Sequence, residues 1–199
     1  MDSPGHVDFS SEVSSALRLS DGAVVLVDVV EGVSAQTHTV LRQAFEEKVK
    51  TCLVLNKLDK LMIDGHMDAL EIYLHLNQII EQVNSIVAEL ISKDYLGQAT
   101  PSQDQEGGVD TSGGDDGADE DALEQKENEL FFCPEKGNVA FSSAMDCWAF
   151  NLTIFARKLA AKFGMNPRVL QKFLWGEYYY SEKKVFRQPR HDRHRPMFV

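Results

Sequence analysis

Apolar runs of strand length alternate with helix-period patterns along the first half of the chain. Residues 22–30 (GAVVLVDVV) and 51–55 (TCLVL) are nearly continuous runs rich in β-branched residues. Such runs are typical of strands covered on both faces in a parallel sheet. Residues 139–141 predict a shorter third strand. The alternation of strands and helices therefore predicts an α/β fold with a doubly wound, mostly parallel sheet.

Amphipathic stripes between these runs predict the helices. The first has Asp8 as its cap, and the second runs from a Ser34 cap to Lys48. The third has apolar residues at steps of three and four from Tyr73 to Leu90, and it spans too few heptads for a stable coiled coil, so packing on the sheet is the better interpretation. Later in the chain the pattern predicts helices over 151–163 and from Asn166–Pro167 toward Trp175, and a hairpin over 178–186.

Charge separates one segment from the rest of the chain. The net charge is −11, and residues 98–129 carry 11 acidic residues against the single base Lys126, which accounts for −10 of it. Residues 97–128 are rich in Gly, Asp, Ser and Gln and have few large apolar residues, so we predict that this acidic insert is disordered. We expect four parts: 1–97 and 130–176 as one α/β domain, 98–129 as the insert, and 177–199 as a hairpin and basic linker toward a further domain.

The cysteines and the apolar runs indicate the cellular compartment that we expect for the chain. Cys52, Cys133 and Cys147 lie far apart without metal-ligand spacing, which favours reduced thiols in a cytoplasmic protein. No apolar run is long enough for a membrane-spanning helix, so we expect no membrane association.

The segment Asp2-Ser-Pro-Gly5-His6 has the residue types of a phosphate-hydrolysing site. Asp2 can hold Mg²⁺ through a water, and Gly5 lets the main chain approach a γ-phosphate without a side chain between them. His6 then lies where a water-positioning group is needed. By itself such a D-x-x-G pattern is also common in ordinary turns.

The segment Asn56-Lys57-Leu58-Asp59 directly follows the second buried run, and ligand sites of α/β sheets lie at the carboxyl ends of strands. Asp59 can accept hydrogen bonds from N1–H and the 2-amino group of guanine. Adenine lacks that donor pair and would leave a buried carboxylate unpaired. Asn56 can bind the base edge or brace the loop, and the alkyl stem of Lys57 can lie along the purine face.

A third short motif, Ser142-Ser143-Ala144, follows the predicted 139–141 strand. Small residues here let a backbone N–H reach O6 of guanine. In this order the three motifs resemble the G3, G4 and G5 elements of GTPases, and DSPGHVDF resembles the translational GTPase family. Within it, the stretches 2–43, LVLNKLDKL, FSSAMDCWAF and LWGEYYY, together with the acidic insert, resemble the elongation-factor-like GTPases of eukaryotic ribosome maturation.

The resemblance implies a partial G domain that binds GTP and GDP with Mg²⁺. It makes His6 catalytic, Asp2 and Gly5 the Mg²⁺ and γ-phosphate contacts, and Asn56, Lys57 and Asp59 the guanine-selecting residues. Ser143 and Ala144 would support the base. It further implies action on the large ribosomal subunit, where such factors help a maturation cofactor protein to release an anti-association factor.

One expected element is missing from the sequence. The chain contains no G-x-x-x-x-G-K-[ST] phosphate loop, so we interpret it as a fragment that binds GTP weakly and does not hydrolyse it alone. In this family the phosphate-loop strand lies beside the strand ending at Asp28. We therefore expect an open, aggregation-prone edge at the 22–30 strand.

Three other functions stay open at this point. A non-catalytic module could contact ribosomal RNA phosphates through the basic tail, residues 183–195, although a solvated linker explains that tail as well. Asp2, His6 and Asp8 could instead hold a catalytic metal, but no second histidine cluster supports this. The chain could also come from a translocation factor, against which the acidic insert argues by resemblance.

Overall fold

The computed structural model describes residues 10–99, 124–176, 178–181, 184–186 and 195–196. The candidate residues Asp2, Gly5 and His6 lie outside this range, as do the Asp8 cap and most of the acidic insert. The division into four parts therefore stays a prediction.

Seven helices and seven strands are described, with one 3₁₀ turn at Pro134–Lys136. The helices are α1 Ser10–Arg18, α2 Ala35–Glu46, α3 Leu58–Ile63, α4 Ala69–Ala99, α5 over 124–130, α6 Leu152–Phe163 and α7 Pro167–Phe173. The strands are β1 Gly22–Asp28, β2 Lys50–Asn56, β3 Val139–Ser143, β4 Trp148–Phe150, β5 Tyr179–Ser181, β6 Lys184–Phe186 and β7 Arg195–Pro196.

The main sheet has the order β1-β2-β3-β4, and a second, three-stranded sheet has the order β6-β5-β7. β1, β2 and β3 are parallel, and β4 returns antiparallel to β3. In register, Asp28 lies beside Asn56 and Leu55 beside Phe141. The carboxyl ends of the three parallel strands thus meet at one edge, which confirms the predicted α/β class and the mostly parallel sheet.

One core joins the sheet to α4. Alternate strand residues such as Val27, Leu53 and Phe141 are almost completely buried, and they share a cluster with the apolar stripe of α4. The buried members of that stripe are Leu76, Ile79, Ile80, Val83, Ile86, Val87 and Ile91. Helix α4 therefore packs within the domain, as its stripe predicted.

The expectation that β1 is covered on both faces is wrong within the described residues. Val24 and Leu26, which alternate with buried Val25 and Val27, are each 62% exposed. Among the described strands β1 pairs only with β2. A continuous apolar run indicates β-branched content but cannot tell which elements cover each face, and here one face of the edge strand stays open.

Helix caps agree with the sequence more closely than helix lengths do. Ser34 and Thr37 form a capping box at α2, Asn151 caps α6, and Asn166 caps α7 with Pro167 in its first turn. Helix α2 ends at Glu46, two residues before the predicted Lys48, because Lys48 adopts a positive φ of 54° that stops the helix.

Several predicted boundaries need correction. Both described ends of the predicted disordered insert are helical: α4 continues to Ala99, and residues 124–130 form α5. Composition missed these ends because contacts with the fold add order, as in the ion pair between Lys126 and Asp94. Strand β3 extends to Ser143, and β4 and α3 were not predicted because each is too short to show a period. Within the described residues no helix is both long and apolar enough to cross a membrane.

Candidate functional site

The polar residues that the sequence singled out meet where β1, β2 and β3 end. Asn56 is the last residue of β2, Lys57 and Asp59 lie in the turn and first turn of α3, and Ser143 ends β3. Parallel pairing brings these strand ends together although 86 residues separate Asn56 from Ser142. The structure thus assembles two of the three motifs, and the third, Asp2 to His6, lies outside the described residues.

Asn56 braces the loop after β3. Its Oδ1 accepts hydrogen bonds from the N–H of Ala144 and from Oγ of Ser142, both at 3.1 Å. Of the two roles that the sequence allowed, bracing is the one this structure contains. The sequence predicts that a backbone N–H of the Ser142–Ala144 segment reaches O6 of guanine, and the Ala144 N–H already donates to Asn56.

Lys57 is held in an unusual backbone conformation and by an ion pair. Its φ of 68° and ψ of 32° lie in the left-handed region, which side chains other than glycine adopt at a cost. Its Nζ pairs with Oδ2 of Asp28, the last residue of β1. This pairing raises the pKa of Lys57 above its ordinary 10.5.

Asp28 receives two kinds of partner at the end of β1. Besides Lys57, its Oδ1 accepts the N–H of Val30 at 2.9 Å. Partial burial alone would raise the pKa of Asp28, but the hydrogen bonds and the positive charge of Lys57 outweigh it and hold the pKa below 3.8. Asp28 is not among the site residues that the sequence predicts, and its signal there is an acidic residue inside an apolar run.

Asp59 has a buried oxygen that lacks a partner. Its Oδ1 is inaccessible to water and accepts no hydrogen bond from the described residues. A buried acceptor without a donor costs about 1–3 kcal/mol, so such groups in native proteins call for an explanation. Guanine offers the donors that this oxygen lacks. The unpartnered acceptor at these strand ends is therefore compatible with the guanine base that the motifs predict.

The loop after β3 is ordered by its own side chains. Ser143 is completely buried, and its Oγ both donates to Oδ2 of Asp146 and accepts the N–H of Asp146, each at 3.1 Å. This leaves the serine as a structural support, with the small size that the sequence predicted. Cys147 closes the loop with a φ of 57°, in the region that favours glycine.

Neither the apolar cavity nor the alternative metal set gives a second functional site among the described residues. An apolar cavity of about 490 Å³ lies between α3, α4 and α6, lined by residues that include Met62, Tyr73 and Phe155. It contains none of the polar strand-end residues, so it does not coincide with the candidate site. No cluster of three metal-ligating side chains occurs within the described ranges, and the alternative metal set of Asp2, His6 and Asp8 falls outside them.

Comparison with known families settles the class of protein. The model of the elongation factor Tu GTP-binding domain matches residues 1–174, so the chain belongs to that family. The match includes all three motifs, also the one outside the described residues. The family and the observed α/β sheet agree with the resemblance found in the sequence.

Within this family the chain is similar to individual proteins from animals and yeast. The chain is 41% identical over 211 residues to "Elongation factor-like GTPase 1" of Mus musculus and equally similar to the Homo sapiens protein of that name. It is 43% identical over 203 residues to "Ribosome assembly protein 1" of Schizosaccharomyces pombe. These alignments cover all of this chain but only 18% of each relative.

Proposed function

We propose that this chain carries the guanine-selecting part of a GTP-hydrolysing, translational-type factor of ribosome assembly. The unpartnered buried Oδ1 of Asp59, next to a turn braced by Asn56, is the observation that carries the proposal. Adenine lacks the N1–H and 2-amino donor pair of guanine and would leave this buried carboxylate oxygen unpaired.

We further propose the roles of the first motif. Asp2 would hold Mg²⁺ through a water, Gly5 would give its backbone N–H to the γ-phosphate, and His6 would orient the water that attacks it. Mg²⁺, when bound, neutralises charge on the phosphate oxygens. The family match over residues 1–174 supports these assignments, since it includes this motif.

The biological setting follows from the relatives' names. One of them is called "Ribosome assembly protein 1", which supports a proposal that the factor acts on the ribosome. We propose the large subunit as its site of action, in the cytoplasm. There it would work with a maturation cofactor protein in the release of an anti-association factor.

The missing phosphate loop sets the expected affinity of this polypeptide. Without a G-x-x-x-x-G-K-[ST] segment, the base contacts act without the lysine and the N–H cradle that bind phosphates. We expect the 199-residue chain to bind GDP more weakly than micromolar and to show no turnover. Isothermal titration with GDP and Mg²⁺ measures this, and micromolar or tighter binding would contradict it.

Base selection is tested separately, with nucleosides that carry no phosphate. We expect guanosine, at millimolar concentrations, to shift NMR signals of the residues around Asp59, and adenosine to leave them unchanged. The variant Asp59→Asn should lose guanosine and gain xanthosine, because an amide can donate to the oxygen that xanthine carries at C2. Asp64→Asn, at an exposed neighbouring carboxylate, is the matched control. Equal shifts with guanosine and adenosine would refute guanine selection.

A further inference from the structure

Asp28 is a charged residue at the end of an otherwise apolar strand. Its side chain is 18% exposed, less than half the 44% of its partner Lys57. One carboxylate oxygen pairs with Lys57 and the other accepts the Val30 N–H. The hydrogen bond from the Val30 N–H therefore orients the Asp28 carboxylate that pairs with Lys57.

The backbone that follows Asp28 is also held by hydrogen bonds. The N–H of Val29 donates to the carbonyl of Asn56 at 3.0 Å, which continues the pairing of β1 and β2 past the strand end. The carbonyl of Val29 lies 2.7 Å from Nε2 of His75 on α4. The end of β1 is thus tied both to the neighbouring strand and to the long helix.

The turn after β2 is held from two sides. Asn56 reaches toward β3, where it binds the Ala144 N–H, and Lys57 reaches toward β1, where it binds Asp28. Asp59, with its unpartnered oxygen, follows within two residues. The side chain of Lys57 therefore reaches along the strand ends to Asp28, although it is still 44% exposed.

Lys57 has two further acidic neighbours. The negative charges of Glu31 and, more weakly, Asp59 also raise the pKa of Lys57, each less than Asp28 does. If Lys57 paired with Asp59, it would occupy the acceptor that guanine needs. In the structure the ammonium pairs with Asp28, and Oδ1 of Asp59 has no partner.

We propose that Asp28 is a positioning and specificity-determining residue for guanine: it holds the Lys57 ammonium at the end of β1, which orders the lysine stem as a surface for the purine ring and keeps Asp59 free for the base. This inference rests on the proposed function. A lysine ordered before binding spares the entropy cost that an unrestrained, rotamer-rich side chain incurs when the ligand arrives.

The test uses the full 199-residue chain and five variants: Asp28→Asn, Asp28→Glu, Lys57→Ala, the double variant Asp28→Asn/Lys57→Ala, and Asp21→Asn. Asp21 is an exposed carboxylate before the opposite end of β1, so it controls for charge alone. Guanosine and adenosine are titrated by NMR. We expect Asp28→Asn to weaken guanosine binding about two- to tenfold and to reduce its advantage over adenosine. Asp21→Asn should bind like wild type.

Coupling between the two residues separates positioning from general structure. In the Lys57→Ala background, Asp28→Asn should have no further effect on guanosine binding, because Asp28 acts through Lys57. Equal guanosine affinity in wild type and Asp28→Asn, or fully additive effects, would overturn the inference while leaving guanine selection standing. Failure of the wild-type chain to prefer guanosine would overturn both. Asp28→Glu, which restores the charge, should recover part of the affinity and shows that any loss is not misfolding.

Discussion

The carboxyl ends of β1 and β2 are polar, whereas one face of β1 is an exposed apolar surface. At their carboxyl ends, Asp28, Asn56 and Lys57 have partners, and one buried oxygen of Asp59 is left over. On one face of β1, Val24 and Leu26 are apolar and mostly exposed. An unpartnered polar group and an exposed apolar face therefore have different consequences for binding. An unpartnered acceptor favours a ligand that supplies hydrogen-bond donors. An exposed apolar face favours any partner that removes it from water.

The largest expected effect separates the two faces of β1. Val27→Lys puts a charge where the side chain is 1% exposed, and we expect it to cost several kcal/mol (about 3 or more) or to prevent folding. Leu26→Lys, one residue earlier on the open face, should change the free energy of unfolding by no more than about 0.5 kcal/mol. Urea denaturation measures both.

Leu26→Lys should also reduce self-association, since lysine blocks edge-strand pairing. We expect the wild-type chain to associate at high concentration and the variant to do so less, measured by light scattering after size-exclusion chromatography. A wild-type chain that stays a monomer at all concentrations would show that the open face of β1 is harmless.

The next effect concerns the brace between β2 and the loop after β3. Asn56→Ala removes the acceptor of the Ala144 N–H and the Ser142 hydroxyl, and we expect a loss of about 1–3 kcal/mol in the free energy of unfolding. Asn56→Asp keeps an oxygen in place and should lose much less. Equal losses in the two variants would mean that shape, and not the acceptor, matters at this position.

A smaller effect is expected at Cys147, which has a positive φ of 57°. Cys147→Gly should stabilise the chain by up to about 1 kcal/mol, because glycine adopts this conformation without a Cβ clash. Cys147→Ser keeps the clash and is the control. Thermal unfolding of the three proteins under reducing conditions would show whether backbone strain is present.

The smallest effect is the pH dependence of the Asp28–Lys57 ion pair. The pKa of Asp28 is lowered in the folded chain, so its stabilisation is present above 3.8 and is lost as the pH falls through the folded pKa. The pKa of Lys57 is raised, so its stabilisation is present below 10.5 and is lost as the pH rises through the folded pKa. The difference in Tm between wild type and Asp28→Asn should therefore be constant near neutral pH and shrink in strong acid. A difference that persists at pH 2 would exclude the charge as its cause.

Local signals accounted for much of the fold. Ser34, Asn151 and Asn166 cap helices as their residue types predicted, because capping depends on side chains within three residues of the helix start. The three parallel strands were predicted from their apolar runs. The short α3 and β4 were not, since six and three residues are too few to show a period.

The family of the chain and the residues proposed to recognise guanine can be recognised without a structure, because motif order and the residue types Asn56, Lys57 and Asp59 do not depend on knowing their neighbours. How these residues are held in place depends on the folded chain. It gave Asn56 a brace in a loop 88 residues away, gave Lys57 a partner in Asp28, and left Asp59 with a free buried oxygen. It also decided that one face of β1 stays open. These outcomes depend on which strands lie side by side, and strand pairing joins distant segments that no local pattern connects.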